Sequence, residues 1–309
     1  MYKLLKLYSK ISTPLNSICN NIIYKFSIIV FCLLTSCTTN NMLSFEKINL
    51  DSNLNELSGL EFFNKKIITH NDSGNGNSLF VSDINNINFE EIKINNTNNT
   101  DWEDICKDND YLYIADVGNN YGKRKNLKIY KISRKLELVD SINISYALQN
   151  NFQNRFKNKF DAEAIISYKD DLIVFSKNRL DKESFLYKIP KNGKHITLNP
   201  FDKIIFKSLI TGADYSEELD LLALVGYSQD QKDQFIYFIP KFEIPIDKNN
   251  VIRIKLPFNN SQIEGVKIIS NNLIIISSED ESNSKPFLVK IHIKKGLFSE
   301  TRKFNIKNK

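Results

Sequence analysis

Gln262-Ile263-Glu264-Gly265-Val266 is a glutamate–glycine turn, followed by the apolar run Leu273 to Ile276 and then by Ser277-Ser278-Glu279. The same order of features starts at Asp101-Trp102-Glu103 and at Asp161-Ala162-Glu163, with looser copies at Leu57-Ser58-Gly59 and Thr211-Gly212-Ala213. If Ser58, Glu103, Glu163, Gly212 and Glu264 are aligned, the residue 13 positions later is Asn71, Asp116, Ser176, Val225 and Ser277. A spacing that is kept in five copies indicates five structural repeats.

Each repeat contains more than the two apolar segments just quoted. A third segment follows at Leu79–Val81, Leu127–Ile132, Phe185–Ile189, Phe235–Ile239 and Phe287–Ile291. A weaker fourth one follows at Glu91–Ile94, Leu136–Val139, Ile204–Lys207 and Val251–Leu256. Short apolar runs bounded by Asn, Asp, Gly and Ser predict strands, and almost no segment has the 3.6-residue period of a helix.

These repeats predict an all-β protein, a β-propeller of four-stranded antiparallel blades. A single blade has two apolar faces and cannot bury both, whereas a ring of blades can. We expect five blades; a sixth would fit only if the long interval between Glu103 and Glu163 holds a degenerate repeat. The run Ser44 to Leu50 precedes the first repeat and is expected to close the ring by pairing with the last blade.

The N-terminus has the features of an exported lipoprotein. Residues 1–36 contain four lysines and no Asp or Glu, and the apolar run Phe26 to Leu34 is too short to span a bilayer comfortably. Leu34-Thr35-Ser36-Cys37 resembles a bacterial lipobox, which predicts a signal peptide over 1–36, lipidation of Cys37, a polar tether over 37–43 and one propeller domain over 44–309. The tether lacks an acidic residue, which favours the outer membrane, with the propeller facing the periplasm or the exterior. An uncleaved signal anchor is the alternative.

Charge and cysteine content exclude some classes of function. The net charge of +6 falls to +2 when the four lysines of the signal peptide are removed, so nucleic acid is not an expected partner. Cys19 and Cys32 leave with the signal peptide, and Cys37 is lipidated. Cys106 then has no cysteine to pair with, and we expect it to be a small, buried apolar side chain. The expected partners are a membrane, through Cys37, and an unidentified ligand or protein; we expect a monomer.

The chain also resembles a known group of proteins. The resemblance rests on Glu56-Leu57-Ser58-Gly59-Leu60, Asn71-Asp72-Ser73-Gly74, Asp101–Asp104, Asp116–Asn120 and Gln262–Gly265. In their order and spacing these motifs resemble lipoprotein propellers of Bacteroidetes, distantly similar to the SdiA-regulated propeller family and more loosely to NHL-repeat and esterase-like phytase propellers. The resemblance covers about residues 45–295 and implies a five-bladed propeller with a calcium site and no established catalytic activity.

The repeats predict where acidic side chains converge. The first strand of a propeller blade lines the central channel, so the repeated glutamates are expected at its mouth, and the ends of the second strands return to the same place. Crowded carboxylates repel one another unless their pKa values rise or a cation neutralises them, and Ca²⁺ accepts six to eight such oxygens. The predicted metal ligands are Glu103, Asp104, Asp116, Glu163, Asn178, Glu264 and Glu279. Alternatively, the glutamates cap backbone N–H groups or pair with Lys177 and Arg179.

Three functions are compatible with this sequence. The first is a lipoprotein that binds a ligand or partner at an acidic, calcium-containing mouth. The second is a metal-assisted hydrolase of an ester, lactone or phosphate, although no nucleophile elbow, phosphate-binding loop or dinucleotide fingerprint is present. The third is a metal-free scaffold for protein contacts. His70 and Trp102 are expected to be structural, and the basic segment Tyr121–Lys125 is expected to be a solvated hairpin tip.

Overall fold

The computed structural model describes residues 42–153, 155–279, 285–294 and 297–298, and these residues form five β-sheets. The predicted signal peptide and Cys37 lie outside the described residues. Within the described residues, no helix combines the length and the apolar character needed to cross a membrane. The helical segments described are two 3₁₀ turns, Ser52–Leu54 and Lys248–Asn250.

Each sheet is one blade, and its strands follow one another from the centre outward. Blade 1 contains β2 (Leu57–Phe63), β3 (Lys66–Asn71), β4 (Ser78–Ser82) and β5 (Glu90–Lys93). Blade 2 contains β6 (Trp102–Lys107), β7 (Tyr111–Asp116), β8 (Lys128–Ser133) and β9 (Leu138–Tyr146). Blade 3 contains β10 (Ala162–Tyr168), β11 (Asp171–Ser176), β12 (Glu183–Pro190) and β14 (Pro200–Ile205).

Blade 4 contains β15 (Leu209–Ser216), β16 (Leu221–Tyr227), β17 (Gln234–Pro240) and β18 (Ile252–Lys255). Blade 5 contains β19 (Ile263–Ser270), β20 (Leu273–Ser278) and β21 (Phe287–Ile293), and its outer strand is the N-terminal β1 (Leu43–Asn49). β1 pairs antiparallel with β21 along its whole length, so the prediction that an N-terminal strand closes the ring is confirmed. The five-bladed propeller is likewise confirmed.

The long interval between Glu103 and Glu163 does not hold a sixth blade. It is taken up by β9, which is nine residues long, and by the segment between β9 and β10. β9 also gains a parallel neighbour, β13 (His195–Leu198), which comes from the connection between the last two strands of blade 3. Blade 2 is therefore five-stranded, and this exchange between blades was not predicted.

The hydrophobic core consists of five clusters, one at each contact between neighbouring blades. Trp102, for example, is fully buried between blades 1 and 2, with its ring centroid 5.8 Å from that of His70 and 6.1 Å from that of Tyr130. The expectation that Trp102 packs between blades is confirmed. Because each blade buries both faces against its neighbours, the ring stabilises itself without a separate central core.

The first strands of the five blades contact one another around the axis. We call the end of the channel where these strands begin the mouth. Three to four residues further along the strands, Lys267 pairs with Glu61 at 2.5 Å and with Asp214 at 2.7 Å. The deeper channel is therefore filled by a buried ion-pair network, whereas the mouth is open.

Candidate metal centre

The mouth of the propeller is a polar cavity of about 540 Å³. The residues around it come from all five blades and are mostly acidic, amide-bearing or aromatic. They are Glu56, Asp72, Glu103, Asn120, Tyr121, Phe156, Lys157, Glu163, Lys177, Arg179, Leu209, Tyr227, Gln229, Gln231, Gln262, Glu264 and Glu279.

The three repeated glutamates reach the mouth because each sits at a β-bulge. The register between the first and second strands of a blade skips one residue at Glu103, Glu163 and Glu264. At a bulge the regular alternation of side chains between the two faces of the sheet is interrupted, so the side chain of the bulge residue points in a different direction. In blade 4 the skipped residue is Thr211, so the sequence alignment that matched Gly212 to these glutamates was wrong by one position.

Two groups of carboxylates meet at Glu103. Oxygen atoms of Asp72, Asp101 and Glu103 lie within 4.8 Å of one another, as do oxygen atoms of Glu103, Asp161 and Glu163. Asp101 and Asp161 immediately precede β6 and β10, and Asp72 immediately follows β3. Glu103, Asp161 and Glu163 are each at most 3% exposed, so solvent screens their mutual repulsion poorly.

Burial and like charge act together on these groups. Burial raises the pKa of Glu103 well above its ordinary value, and the carboxylates of Asp72 and Glu163 raise it further. Burial likewise raises the pKa of Asp101, with Asp161 adding to the effect and Arg124 opposing it. A cation at this position would replace the missing solvent and favour the charged forms.

We call Asp72, Asp101, Glu103, Asp161 and Glu163 the carboxylate cluster. Three basic side chains neutralise part of it. Lys177 Nζ donates to Glu163, and Arg179 donates to Asp161 and lies 3.6 Å from Glu163. Arg124 Nη1 lies 3.9 Å from Asp101 Oδ2 and donates to the carbonyl oxygen of Gly118 at 2.7 Å, and its Nη2 donates to the neighbouring Asp116 at 2.7 Å. The alternative in which glutamates pair with Lys177 and Arg179 therefore holds for Glu163.

Glu103 differs from these neighbours because its charge is not matched. Its Oε1 atom is buried and has no hydrogen-bond partner. Gly118 provides the space for it, since a Cβ atom at that position would collide with Glu103 Oε1 and with the carboxylate of Asp101. Burying a carboxylate oxygen without a hydrogen-bond partner costs free energy, which makes this atom a candidate metal ligand.

Other residues predicted as ligands have different roles. Asp104 accepts backbone N–H bonds from Ile165 at 3.0 Å and Ala213 at 3.2 Å, which joins three blades across the channel. Asn178 closes a turn by accepting from the N–H of Leu180. These two side chains are engaged outside the carboxylate cluster, and local spacing alone could not show this because Asp104 caps residues more than 60 positions away.

Asp116, Glu264 and Glu279 lie beside the cluster rather than within it. Asp116 uses one carboxylate oxygen to hold Arg124 and the backbone N–H of Asp101, and its other oxygen is buried without a partner. Glu279 accepts a hydrogen bond from the amide of Gln262. Burial raises the pKa of Glu279 to about 10, and the nearby Glu264 contributes to that rise.

Sequence reasoning also misplaced or overlooked several residues. Arg124 was expected on a solvated hairpin tip, but its side chain is only 10% exposed and holds the second strand of blade 2 to the cluster. Asp72, Asp101 and Asp161 were not among the predicted ligands. Their position directly before or after a channel-lining hairpin was the signal that could have identified them.

His70 is fully buried, its Nδ1 atom lies 3.1 Å from the carbonyl oxygen of Asn71, and burial lowers its pKa to about 4. Its Nε2 atom is buried without a hydrogen-bond partner, and its structural role stays a prediction. Cys106 is also buried and unpaired with another cysteine.

Comparison with known proteins shows only distant similarity. No family model matches the chain, and no curated protein matches its sequence. Among solved structures, the PQQ-bound aldose sugar dehydrogenase of Streptomyces coelicolor superposes with a TM-score of 0.47 and 9% identity, covering 81% of this chain and 99% of that one. Glutaminyl cyclase of Myxococcus xanthus gives 0.48 and 11% over 82% and 97%, and exo-β-1,3-galactanase of Phanerochaete chrysosporium gives 0.48 and 9% over 75% and 59%. Identities this low concern the fold alone and transfer no activity.

Proposed function

We propose that this protein is a membrane-anchored propeller that binds a calcium ion at its mouth and uses the occupied mouth to bind a ligand or partner. The observation that carries the proposal is Glu103, a buried residue that belongs to two groups of carboxylates and whose Oε1 atom has no hydrogen-bond partner. Arg124, Lys177 and Arg179 already neutralise the neighbours of Glu103. A cation beside Glu103 supplies the charge that the protein itself does not.

The donor set favours calcium over other metal ions. The proposed ligands are the carboxylates of Asp72, Asp101, Glu103, Asp161 and Glu163. Oxygen-only sites of loose geometry suit Ca²⁺, whereas Mg²⁺ requires a small and regular octahedron. The two carboxylate groups found in the described part of the chain contain no His or Cys, the ligands that Zn²⁺ and Cu²⁺ prefer.

The ion would also complete the architecture of the mouth. Asp72 belongs to blade 1, Asp101 and Glu103 to blade 2, and Asp161 and Glu163 to blade 3. A cation at Glu103, which belongs to both groups, would reduce the repulsion between neighbouring blades and would hold their loops in a fixed arrangement. A ligand that enters the mouth would then meet a preorganised surface and lose less conformational freedom on binding.

The path of β1 adds an orientation to this proposal. Asn49 pairs with Phe287, which pairs with Ser278 beside the mouth, whereas Leu43 pairs with Ile293 at the other end of blade 5. The chain thus enters the propeller on the face opposite the mouth. Only a short tether separates Leu43 from Cys37, so a lipid anchor at Cys37 would leave the mouth facing away from the membrane.

The first test is calcium binding by the protein from Thr38 onward, which contains every strand of the ring. We expect its melting temperature, measured after chelation, to rise and saturate in a calcium titration, and to respond less to magnesium. No response to calcium would refute the metal centre. For the anchor, we expect a Cys37→Ser variant to lose acyl labelling and to leave the membrane fraction.

The hydrolase and the metal-free scaffold remain predictions. The scaffold is compatible with the filled lower channel, where Lys267 bridges Glu61 and Asp214. It does not account for an open mouth with an unmatched buried carboxylate. A measurement of calcium binding at the mouth therefore distinguishes the metal-free scaffold from the proposed calcium-dependent binding protein.

A further inference from the structure

The mouth is much larger than the space that one metal ion needs. Its volume of about 540 Å³ falls in the range of cavities that enclose small organic molecules. The carboxylate cluster occupies only part of its surface, and the remaining lining includes an aromatic side, with Tyr121 and Phe156, and several amide side chains. This second part of the cavity has no role in holding the ion.

The aromatic side is formed by Tyr121 and Phe156, which are 48% and 53% exposed although both are large apolar side chains. Their ring centroids lie 5.8 Å apart with an angle of 55° between the planes. The guanidinium carbon of Arg179 lies 4.9 Å from the centroid of Phe156, and Arg179 is itself held by Asp161 and Asn120. The Phe156 ring is therefore positioned by the cluster and still offers apolar surface to the cavity.

Hydrogen-bonding groups without net charge also line the cavity. Gln229, Gln231, Gln262 and the phenol of Tyr227 line it. Tyr227 Oη donates to Gln262 Oε1 at 3.0 Å, and Gln231 Nε2 donates to the same oxygen at 3.2 Å. Amide groups both donate and accept, which matches a ligand that carries many hydroxyl groups.

The basic residues of the cavity are poorly placed to bind an anionic ligand. Lys177 and Arg179 are paired with Glu163 and Asp161, so neither is available to a phosphate or carboxylate group. Lys157 adds a positive charge at the exposed rim. Among the described residues that line the cavity it is the one basic side chain without a carboxylate partner, so the mouth has no group of cations that would recognise a phosphate or carboxylate.

From this combination we infer that the mouth binds a neutral carbohydrate chain, with the apolar face of a sugar ring against Tyr121 and Phe156 and its hydroxyl groups directed to the amides and the calcium ion. The inference rests on the proposed calcium centre and names the class of ligand that the centre serves. Packing of the C–H face of a sugar on an exposed ring removes apolar surface from water. Hydroxyl oxygens are among the neutral ligands that complete the coordination of Ca²⁺.

The test is calorimetric titration of the protein from Thr38 onward with hexasaccharides of glucose, galactose, mannose and xylose, in calcium chloride and in EDTA. We expect at least one hexasaccharide to bind in calcium and to lose about tenfold or more in affinity in EDTA, which corresponds to about 1.4 kcal/mol. Phe156→Ala and Tyr121→Ala should each weaken binding to a similar degree. Phe201→Ala removes an equally apolar ring that is 41% exposed on the outer strand of blade 3, and it should leave binding unchanged.

Four outcomes would overturn the inference. If no hexasaccharide binds while calcium still raises the melting temperature, the calcium centre stands and the carbohydrate proposal falls. Unchanged affinity in both mouth variants would place the ligand elsewhere. Binding of spermidine in EDTA, with displacement by calcium, would show that the cavity takes an organic cation instead. If calcium itself has no effect on stability, the proposed function fails and this inference fails with it.

Discussion

Replacing Glu103 with glutamine should change stability in opposite directions depending on calcium. Without calcium, Glu103 is a buried carboxylate beside Asp72 and Glu163, and its Oε1 atom has no partner. Glutamine keeps the shape of the side chain and removes the charge, so Glu103→Gln should stabilise the calcium-free protein. With calcium, the same change removes the ligand shared by both carboxylate groups and should abolish most of the stabilisation by the ion.

The size of both effects follows from the geometry. Two unit charges 4.8 Å apart repel by about 3.5 kcal/mol at an effective dielectric constant of about 20. Because nearby cations and partial protonation reduce this, we expect a gain of about 1–3 kcal/mol in the calcium-free variant. For wild type, an ion present at 100 times its dissociation constant adds about 2.7 kcal/mol, which raises the melting temperature of a protein of this size by about 5–10 °C.

Thermal unfolding in EDTA and in a calcium series measures both effects on the same samples. Glu183→Gln is the matched control, because Glu183 forms an exposed salt bridge with Lys203 on the outer part of blade 3. This control should respond to calcium as wild type does. In EDTA we expect Glu103→Gln to melt above wild type, and in saturating calcium we expect the order to reverse or the two curves to meet.

One result would refute the reasoning. If Glu103→Gln melts below wild type in EDTA and gains as much from calcium, the Glu103 side chain stabilises the fold through a neutral contact. The calcium ion, if it binds, would then lie elsewhere. Retention of the calcium response in Glu103→Gln alone would already exclude Glu103 as the shared ligand.

Three further predictions follow from the same structure. Gly118→Ala should weaken the calcium response in thermal unfolding, because its Cβ atom would collide with Glu103 Oε1; Gly76→Ala, whose Cβ would lie 3.7 Å from its nearest side-chain atom, should not. The pKa of Glu279 is raised from 4.5 to about 10, so the folded protein retains a proton that the unfolded chain releases, and stability should fall as pH rises through this window. Glu279→Gln should therefore flatten the fall in urea midpoint with rising pH in EDTA, and parallel pH profiles would contradict the prediction. Lys267→Met leaves the buried carboxylate of Asp214 without a cation and leaves Glu61 with Lys107 alone, so it should cost about 3–5 kcal/mol in urea unfolding; it should not reduce the calcium response, since it lies deeper in the channel.

The fold followed from the sequence because its determinants are local and repeated. Apolar segments and turn residues recur in five copies, three of which carry a glutamate at the equivalent position, and each copy specifies a hairpin whose register depends on a few neighbouring residues. The strand Leu43–Asn49 was predictable as well, since an open ring leaves an unpaired edge that one additional strand covers. By contrast, the parallel pairing of β13 with β9 has no local signal, because it joins segments about 50 residues apart.

The sequence also placed Glu103, Glu163 and Glu264 at the mouth, because equivalent positions of equivalent blades face the same axis. It could not show which of them is neutralised. Lys177 and Arg179 pair with Glu163 and Asp161, and Arg124 turns inward to Asp116, so Glu103 alone among the repeated glutamates has a buried oxygen without a partner in the described part of the chain. Charge pairing at the mouth depends on side chains from neighbouring blades and on bulges that shift the register by one residue. These distances exist only once the ring has closed, so the tertiary structure alone decided where a cation is needed.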